Sequence, residues 1–158
     1  MTDPENPYGT YLEGRDPVAL MSQTPDRIRA LVDGWSADRF QQRYAPGKWN
    51  AAQIVLHLAQ VELAIGNRIR MALSTPDYVV QPFDQDAWVR FEPVGDPGMA
   101  LQAYHALRQL NVACACHLSP EQRAKHFAHP ERGAISVNWL LVLLAGHDIH
   151  HMRQLEQI

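Results

Sequence analysis

Apolar residues recur every three or four positions in three long stretches of the chain, and each stretch is free of proline. This spacing places the apolar side chains on one face of an α-helix, which predicts helices over 50–74, 98–119 and 136–158. In the second of these, the predicted apolar stripe comprises Ala100, Tyr104, Leu107, Asn111, Cys114 and Leu118. Capping residues stand where the three helices would begin, namely Asn50, Asp96 followed by Pro97, and Ser136.

A fourth helical stretch runs from about Asp16 to Gly34, and it contains a proline. Pro25 follows Thr24 in the middle of this stretch. Because proline removes a helical hydrogen bond and clashes with the preceding turn, we expect a kink at this point or two short helices in tandem.

The remaining segments complete the predicted architecture. The connection 75–96 is too long for a tight turn and predicts a short helix around 84–89. Residues 1–15 show no periodicity and are expected to form an N-terminal arm. No alternating apolar and polar run is long enough to build a sheet. The sequence therefore predicts one all-α domain over 16–158, a four-helix bundle with a long crossover connection.

Composition and charge narrow the functional classes. The chain has 158 residues, which suits one domain, and 14 Lys and Arg against 17 Asp and Glu give a net charge of -3. This balance argues against a nucleic-acid partner. The longest apolar run is far shorter than the ~20 residues of a membrane span, and the N-terminus has no signal-peptide pattern. Cys114 and Cys116 point to opposite faces of a helix, so no disulfide joins them, and we expect a soluble cytoplasmic protein without a membrane partner.

The histidines carry the strongest chemical signal. Among eight histidines, His147 and His151 stand four residues apart, one turn along the last predicted helix, so both imidazoles can reach one ion. His57 lies on the flank of the apolar face of the helix over 50–74. A lone histidine there is more often hydrogen-bonded within a core. Three partly buried imidazoles on two helices, however, are better explained by a divalent metal, since the ion offsets their desolvation.

Three further polar residues are candidates for catalysis. Asp148 falls in the centre of the apolar stripe, so its carboxylate needs a partner, either Arg68 or one of the imidazoles. The alternative is a carboxylate that reaches solvent at the helix end. Asn111 is polar on an apolar stripe and is expected to face the same pocket. Glu62 either pairs with an arginine or touches the metal.

These residues belong to a wider pattern. It comprises Lys48-Trp49-Asn50, Ile54-x-x-His57-Leu58-Ala59-x-x-Glu62, Arg68, Phe83-Asp84-Gln85-Asp86-x-Trp88, Leu107-Arg108-x-x-Asn111, His129-Pro130-Glu131-Arg132-Gly133 and His147-Asp148-x-x-His151-x-x-Gln154-Leu155. The pattern, over roughly 17–158, resembles the DinB-like superfamily of small four-helix bundles. That resemblance implies that His57, His147 and His151 bind zinc, nickel or iron with coordination positions left open. Gln60 departs from the pattern, since an acidic residue is frequent at its position.

The resemblance also implies a class of chemistry. Its members include thiol S-transferases that use a low-molecular-weight thiol such as bacillithiol or mycothiol, a thiol-dependent isomerase, and proteins described as metal-dependent hydrolases. We therefore expect a metal-dependent enzyme that activates a thiol or water toward a small-molecule substrate, and a homodimer. Two alternatives stay open: a non-catalytic, stress-associated bundle that binds a metal or ligand, and a bundle whose histidines are satisfied without an ion.

Overall fold

The structure is a computed structural model that describes residues 2–92 and 95–158. Four long helices dominate it: α1 (Pro17–Val32), α3 (Ala51–Ser74), α5 (Pro97–Cys116) and α7 (Val137–Leu155). Short elements connect them: a 3-10 helix (Gly9–Leu12), α2 (Ala37–Phe40), α4 (Gln85–Phe91), α6 (Pro120–Arg123), and the strands β1 (His126–His129) and β2 (Gly133–Ser136). The predicted helical bundle is confirmed.

The predicted caps begin their helices. Asn50 forms a capping box with Gln53 at the start of α3, since each side chain accepts from the other residue's backbone N–H. Ser136 accepts from the Trp139 N–H at the start of α7, and Asp84 caps α4 within the long connection. Each cap satisfies backbone donors that the first turn leaves free.

Helix α1 continues through Pro25 as a single element, so the expected tandem of two helices is wrong. A proline at this position cannot donate to the carbonyl four residues earlier, which belongs to Met21. The Arg108 guanidinium on α5 donates to that Met21 oxygen at 3.2 Å. A side chain from another helix thus replaces the lost backbone donor, which removes one reason for the helix to break.

The four long helices pack in a ring that does not follow chain order. Helix α1 packs against α5 and α7, and α3 packs against the same two helices. The connection between α3 and α5 therefore joins neighbours, although it is long. The segments 33–50 and 117–136 instead cross the bundle diagonally. This non-sequential order brings α3 and α7 side by side, which positions the site described below.

A small hairpin corrects the expectation of no sheet. Strands β1 and β2 pair antiparallel, with His126 opposite Ser136 and His129 opposite Gly133. Gly133 has a φ of 76°, a left-handed conformation that glycine adopts without strain. Strands of four residues are too short to show a clear alternating pattern, and the hairpin is held by tertiary contacts instead. Val80 in the long connection donates to Ala128 at 2.9 Å and ties that connection to β1.

The core consists of two apolar clusters, one toward each end of the bundle. Along α3 the change from one cluster to the other falls between Ala59 and Val61, and along α7 it falls between Ile149 and Met152. Apart from Arg68, the buried polar residues of both helices lie around this boundary. Within the described parts of the chain, no helix is long and apolar enough to cross a membrane.

Candidate metal centre

Three buried histidines converge between α3 and α7. His57 comes from the first half of α3, and His147 and His151 come from successive turns of α7. Their exposed fractions are only 1%, 4% and 5%. The structure thus brings together the three imidazoles that the sequence singled out. We call them the imidazole cluster.

The ring nitrogens of the imidazole cluster face one another. His147 Nε2 lies 3.0 Å from His57 Nε2 and 3.0 Å from His151 Nε2. Ligand atoms from all three residues lie within 4.8 Å of one another. Two nitrogens about 2.0–2.1 Å from one zinc ion stand about 3 Å apart when the angle between them is near 90°, so the spacing fits a shared ion.

Burial keeps these imidazoles neutral, which is the form that binds metal. Desolvation lowers the pKa of His57 to about 4, and the charge of nearby His150 acts in the same direction. Burial, followed by the neighbouring imidazoles, lowers the pKa of His147 and His151 well below the usual value. At neutral pH each ring therefore has a lone pair available.

A hydrogen bond at the opposite ring nitrogen fixes the orientation of one of the three rings, that of His151. His151 Nδ1 donates to Gln154 Oε1 at 2.7 Å, which leaves the Nε2 lone pair free. Gln154 is held in turn by Tyr44 and His150. The Nδ1 atoms of His57 and His147 are buried without a partner in the described residues. His147 Nε2 carries either one proton or one lone pair, so it can form only one of its two 3.0 Å contacts as an ordinary hydrogen bond, whereas one cation can accept lone pairs from all three Nε2 atoms.

Aromatic side chains enclose the imidazole cluster on two sides. The Trp49 ring lies 4.6 Å from that of His57, and the Tyr8 ring meets His147 edge-on at 5.3 Å. Gly146 allows Tyr8 to come this close: a Cβ at this glycine would lie 2.7 Å from Tyr8 Cβ and closer still to Tyr8 O. The N-terminal segment therefore packs directly on the α7 backbone beside the site.

The three catalytic candidates lie in a separate buried cluster, which is centred on Arg108 of α5. Arg108 donates to Asp148 at 2.6 and 3.0 Å and to Glu62 at 2.5 Å. Thr24 of α1 also donates to Asp148. The partner of Asp148 is therefore Arg108, and the prediction of Arg68 or an imidazole is wrong. Arg68 instead donates to the Gln81 carbonyl at 3.0 Å.

Asn111 completes this second set, which we call the Arg108 cluster (Thr24, Glu62, Arg108, Asn111 and Asp148). Its amide donates to Glu62 Oε2 at 2.9 Å and accepts from Arg70 at 2.8 Å. Burial raises the pKa of Asp148, opposed by the nearby Arg108 charge. No bond joins Asp148, Glu62 or Asn111 to the imidazole cluster within the described residues. A catalytic role for them stays a prediction.

Gln60, which departs from the sequence pattern, also lies away from the three rings. Its amide donates to Glu92 Oε2 at 3.1 Å, while its Oε1 is buried without a partner among the described residues. The side chain thus ties α3 to the end of the long connection.

Two cavities reach the imidazole cluster from different directions. The first, of about 440 Å³, has His147 in its wall together with Arg68, His129, Arg132 and Trp139; we call it the Arg68 cavity. The second, of about 350 Å³, is lined by His57 and His151 and by Trp49, Tyr44 and Lys48; we call it the Trp49 cavity. Tyr8 and Gln85 border both cavities. Sequence reasoning did not identify the loop residues His129 and Arg132 as part of this site.

The comparisons with known proteins agree with this architecture. YfiT of Bacillus subtilis, described as a probable metal-dependent hydrolase with an unusual four-helix bundle topology, superposes with a TM-score of 0.84 at 22% identity, over 89% of this chain and 82% of that one. A mycothiol-dependent maleylpyruvate isomerase superposes with a TM-score of 0.73 at 11% identity, over 88% of this chain and 59% of that one. At such identities, these likenesses show the fold alone.

Sequence comparison gives the family. OB0782 of Oceanobacillus iheyensis, which carries the provisional name of a metal-dependent hydrolase, is 24% identical over 135 residues, spanning 85% of this chain and 78% of that protein. The family model of the DinB superfamily matches residues 20–155, most of the chain. The chain belongs to the DinB superfamily.

Proposed function

We propose that this protein is a metal-dependent enzyme in which His57, His147 and His151 hold one divalent ion. The observation that carries the proposal is the 3.0 Å approach of His147 Nε2 to the Nε2 atoms of both other rings. Neutral imidazoles placed this closely suit a cation, because hydrogen bonding alone lets His147 Nε2 pair with only one of the other two rings. Zinc, nickel and iron all accept such nitrogen ligands.

The site would activate a low-molecular-weight thiol or water toward a small-molecule substrate. A divalent ion held by neutral ligands keeps its positive charge and lowers the pKa of a bound thiol or water. The protein supplies the three ligands, the Gln154 contact that orients His151, and aromatic walls that restrict water. No fourth histidine, cysteine or carboxylate joins the ligand set within the described chain, so room is left for a reactant.

Two cavities favour a reaction with two reactants. A transferase must hold a thiol and an electrophile together, whereas a hydrolase needs one organic substrate and water. The Arg68 and Trp49 cavities reach different histidines of the same cluster, so each could hold one reactant. On this basis an S-transferase accounts for more of the structure than a hydrolase does. The relatives that support this range of activities are the provisionally named metal-dependent hydrolases and the mycothiol-dependent isomerase.

Metal analysis tests the ligand assignment. The protein is purified without a nickel column, and its metal content is measured for wild type, His147→Ala and a control histidine variant. Because His150 holds the Gln154 side chain that orients His151, the control variant is His117→Ala in place of His150→Ala. His117 is an exposed histidine at the end of α5 whose ring bonds the Ala113 carbonyl, away from the imidazole cluster. We expect about one ion per chain in wild type and in the control, and loss of the ion in His147→Ala. Unchanged metal content in His147→Ala would refute the assignment.

Assays of the metal-loaded protein then show whether a thiol or water is the nucleophile. Conjugation of a small thiol to 1-chloro-2,4-dinitrobenzene forms an S–C bond and releases chloride, whereas hydrolysis of p-nitrophenyl acetate consumes water. We expect the thiol reaction to be the faster and to be lost in His147→Ala. Hydrolysis that exceeds it would favour the hydrolase.

A second candidate function is non-catalytic binding, and one observation favours it. An apolar groove between α3, α4 and α5 leaves large side chains exposed, including Leu63 (54%), Phe91 (77%) and Met99 (65%). Exposed apolar patches often mark binding surfaces. A protein of this kind would bind the ion but show no turnover with either probe.

A further inference from the structure

The Arg68 cavity contains a buried positive charge without a negative partner. Arg68 is only 9% exposed, yet within the described residues no carboxylate oxygen lies within 4.0 Å of its guanidinium nitrogens. One N–H donates to Gln81 O at 3.0 Å, and the guanidinium carbon lies 5.5 Å from the Phe83 ring centroid. Buried charges in proteins are normally paired, as Arg108 is in this same bundle. The exception at Arg68 indicates a ligand.

The other lining groups indicate which kind of ligand. His129 Nδ1 accepts from the Glu131 N–H, so the proton of the neutral ring lies on Nε2 as a further donor. Arg132 lies over the Trp139 ring at the outer edge of the cavity. About half of the wall is apolar, with side chains that include Val61, Ile65, Phe83, Trp139, Leu140 and Leu143. A cavity that combines the N–H donors of Arg68, His129 and Arg132 with these apolar side chains suits a small anion that also has an apolar part.

The charges that line the cavity favour a ligand with one negative charge over a ligand with two. Asp84 and Glu131 also line it, both exposed, and Asp84 already accepts from the Ala87 N–H. These two carboxylates balance Arg68 and Arg132, so the wall as a whole is neutral. A phosphate dianion would meet repulsion at the rim, whereas a carboxylate can form two parallel hydrogen bonds with the buried guanidinium.

We propose that Arg68 binds the carboxylate of a small organic acid, and that this acid is the substrate presented to the imidazole cluster at His147. The inference rests on the proposed function, because the cavity serves a substrate only if His147 holds the ion. It goes further by assigning the substrate class and the residue that recognises it. The apolar wall would hold the body of the acid, and Arg68 would orient it.

A matched pair of probes tests Arg68 without needing the metal. Binding of 3-phenylpropionate and of the uncharged 3-phenylpropionamide is measured by calorimetry on metal-loaded and on chelator-treated protein. We expect the acid to bind wild type at least about tenfold more tightly than the amide. Arg68→Met should abolish this preference by weakening the acid alone, and Arg68→Lys should retain part of it. Arg90→Met removes an exposed arginine that does not line the cavity and should change neither affinity.

Several results would overturn the inference. Equal affinity of wild type for acid and amide would do so, as would a preference that survives Arg68→Met or tighter binding of inorganic phosphate than of the acid. If Arg68→Met does not fold, the ratio of acid to amide affinity, measured in wild type and in Arg68→Lys, still tests the inference. Loss of metal binding leaves these affinities measurable, so failure of the proposed function is seen separately in the metal analysis.

A second readout tests whether the acid lies beside the imidazole cluster. In Co²⁺-loaded protein, a probe bound near His147 should show strongly enhanced proton relaxation compared with Zn²⁺-loaded protein. A probe that binds both forms without this enhancement would place the acid away from the ion and contradict the inference.

Discussion

The two buried polar clusters lie on the same helices but differ in how their hydrogen bonds are completed. In the Arg108 cluster all four carboxylate oxygens accept a bond, from Arg108, Thr24 or Asn111. In the imidazole cluster three Nε2 atoms face one another, and two Nδ1 atoms are buried without a partner among the described residues. The acidic groups of the first cluster are fully paired, and only Arg108 Nε is buried there without a partner among the described residues. In the second cluster His147 Nε2 can hydrogen-bond only one of the two rings it faces. This difference is why we assign a structural role to the Arg108 cluster and propose an ion for the imidazole cluster.

Neighbouring positions on one helix serve these different purposes. His147 and Asp148 are adjacent, but successive residues of an α-helix point about 100° apart. His147 therefore contacts His57 of α3, while Asp148 contacts Arg108 of α5 and Thr24 of α1. One turn of α7 thus contributes a ligand to one cluster and a charge to the other.

The largest effect is expected from breaking the Arg108 cluster. Arg108→Met would leave two buried carboxylates without their cation and should lower the free energy of unfolding by about 3–5 kcal/mol. Urea unfolding measures this change, and Arg90→Met, at an exposed position, should change it by less than about 0.5 kcal/mol. A loss below about 1 kcal/mol at Arg108 would contradict the structural role of the cluster.

The imidazole cluster should make the metal-free protein sensitive to mild acid. The pKa of His57 is about 4 in the folded protein, against 6.5 for a free histidine, so the unfolded chain binds the proton first as pH falls. His57 therefore costs no stability above pH 6.5. The loss of stability that it causes grows as the pH falls from 6.5 to 4 and does not increase further below pH 4. Since one pKa unit is about 1.4 kcal/mol, His57 alone should account for about 3 kcal/mol. Urea unfolding at pH 7 and pH 4 measures the loss.

The control for this prediction is His57→Gln, which removes the titrating ring. Other ionisable groups also contribute to the loss of stability between pH 7 and pH 4. The contribution of His57 is therefore the difference between the losses measured for wild type and for His57→Gln. Identical pH dependence of wild type and variant would show that His57 is not held neutral by burial.

Addition of the ion should stabilise only a protein with an intact imidazole cluster. At a free metal concentration a hundredfold above Kd, binding raises the free energy of unfolding by about 2.7 kcal/mol. We expect this rise in chelator-treated wild type and in His117→Ala, and none in His147→Ala, by thermal unfolding with and without Zn²⁺. Equal stabilisation of all three proteins would place the ion elsewhere.

A smaller effect is expected at the contact between the N-terminal segment and α7. Gly146→Ala would force Tyr8 away, with a net loss of about 1–2 kcal/mol after the gain in helix propensity. Gly9→Ala is the control, since its Cβ would meet Asn6 Cβ at an ordinary 3.5 Å. Limited proteolysis should cut the segment faster in Gly146→Ala only. Equal cleavage of both variants would show that Tyr8 does not depend on this glycine.

The helices and the histidine spacing could be predicted from the sequence because both are local patterns. Proline-free amphipathic stretches and caps depend on residues a few positions apart, and His147 and His151 are one turn apart. The sequence also singled out Asp148, Asn111 and Glu62, with pairing of Glu62 to an arginine as one alternative, but it did not identify Arg108 as the residue that joins them. The predicted stripe of α5 included Leu107, whereas the buried positions are Ala100, Tyr104, Arg108, Asn111 and Ala115. Arg108 is four residues from Tyr104, so the same periodicity could have identified it, but an arginine was not expected to be buried.

The cavity walls could not be predicted in this way. His129 and Arg132 come from the hairpin, and Tyr8 comes from the N-terminal segment. They line one cavity with His147 because the bundle connects its helices diagonally, which depends on packing across the whole chain. Pro25 shows the same dependence, since its effect on α1 is offset by a donor from α5.

X-ray absorption spectroscopy of the metal-loaded protein reports which atoms bind the ion. We expect three imidazole nitrogens at about 2.0–2.1 Å from the ion in wild type and two in His151→Ala. A thiolate sulfur at about 2.3 Å, or an imidazole signal unchanged in the variant, would contradict this ligand set.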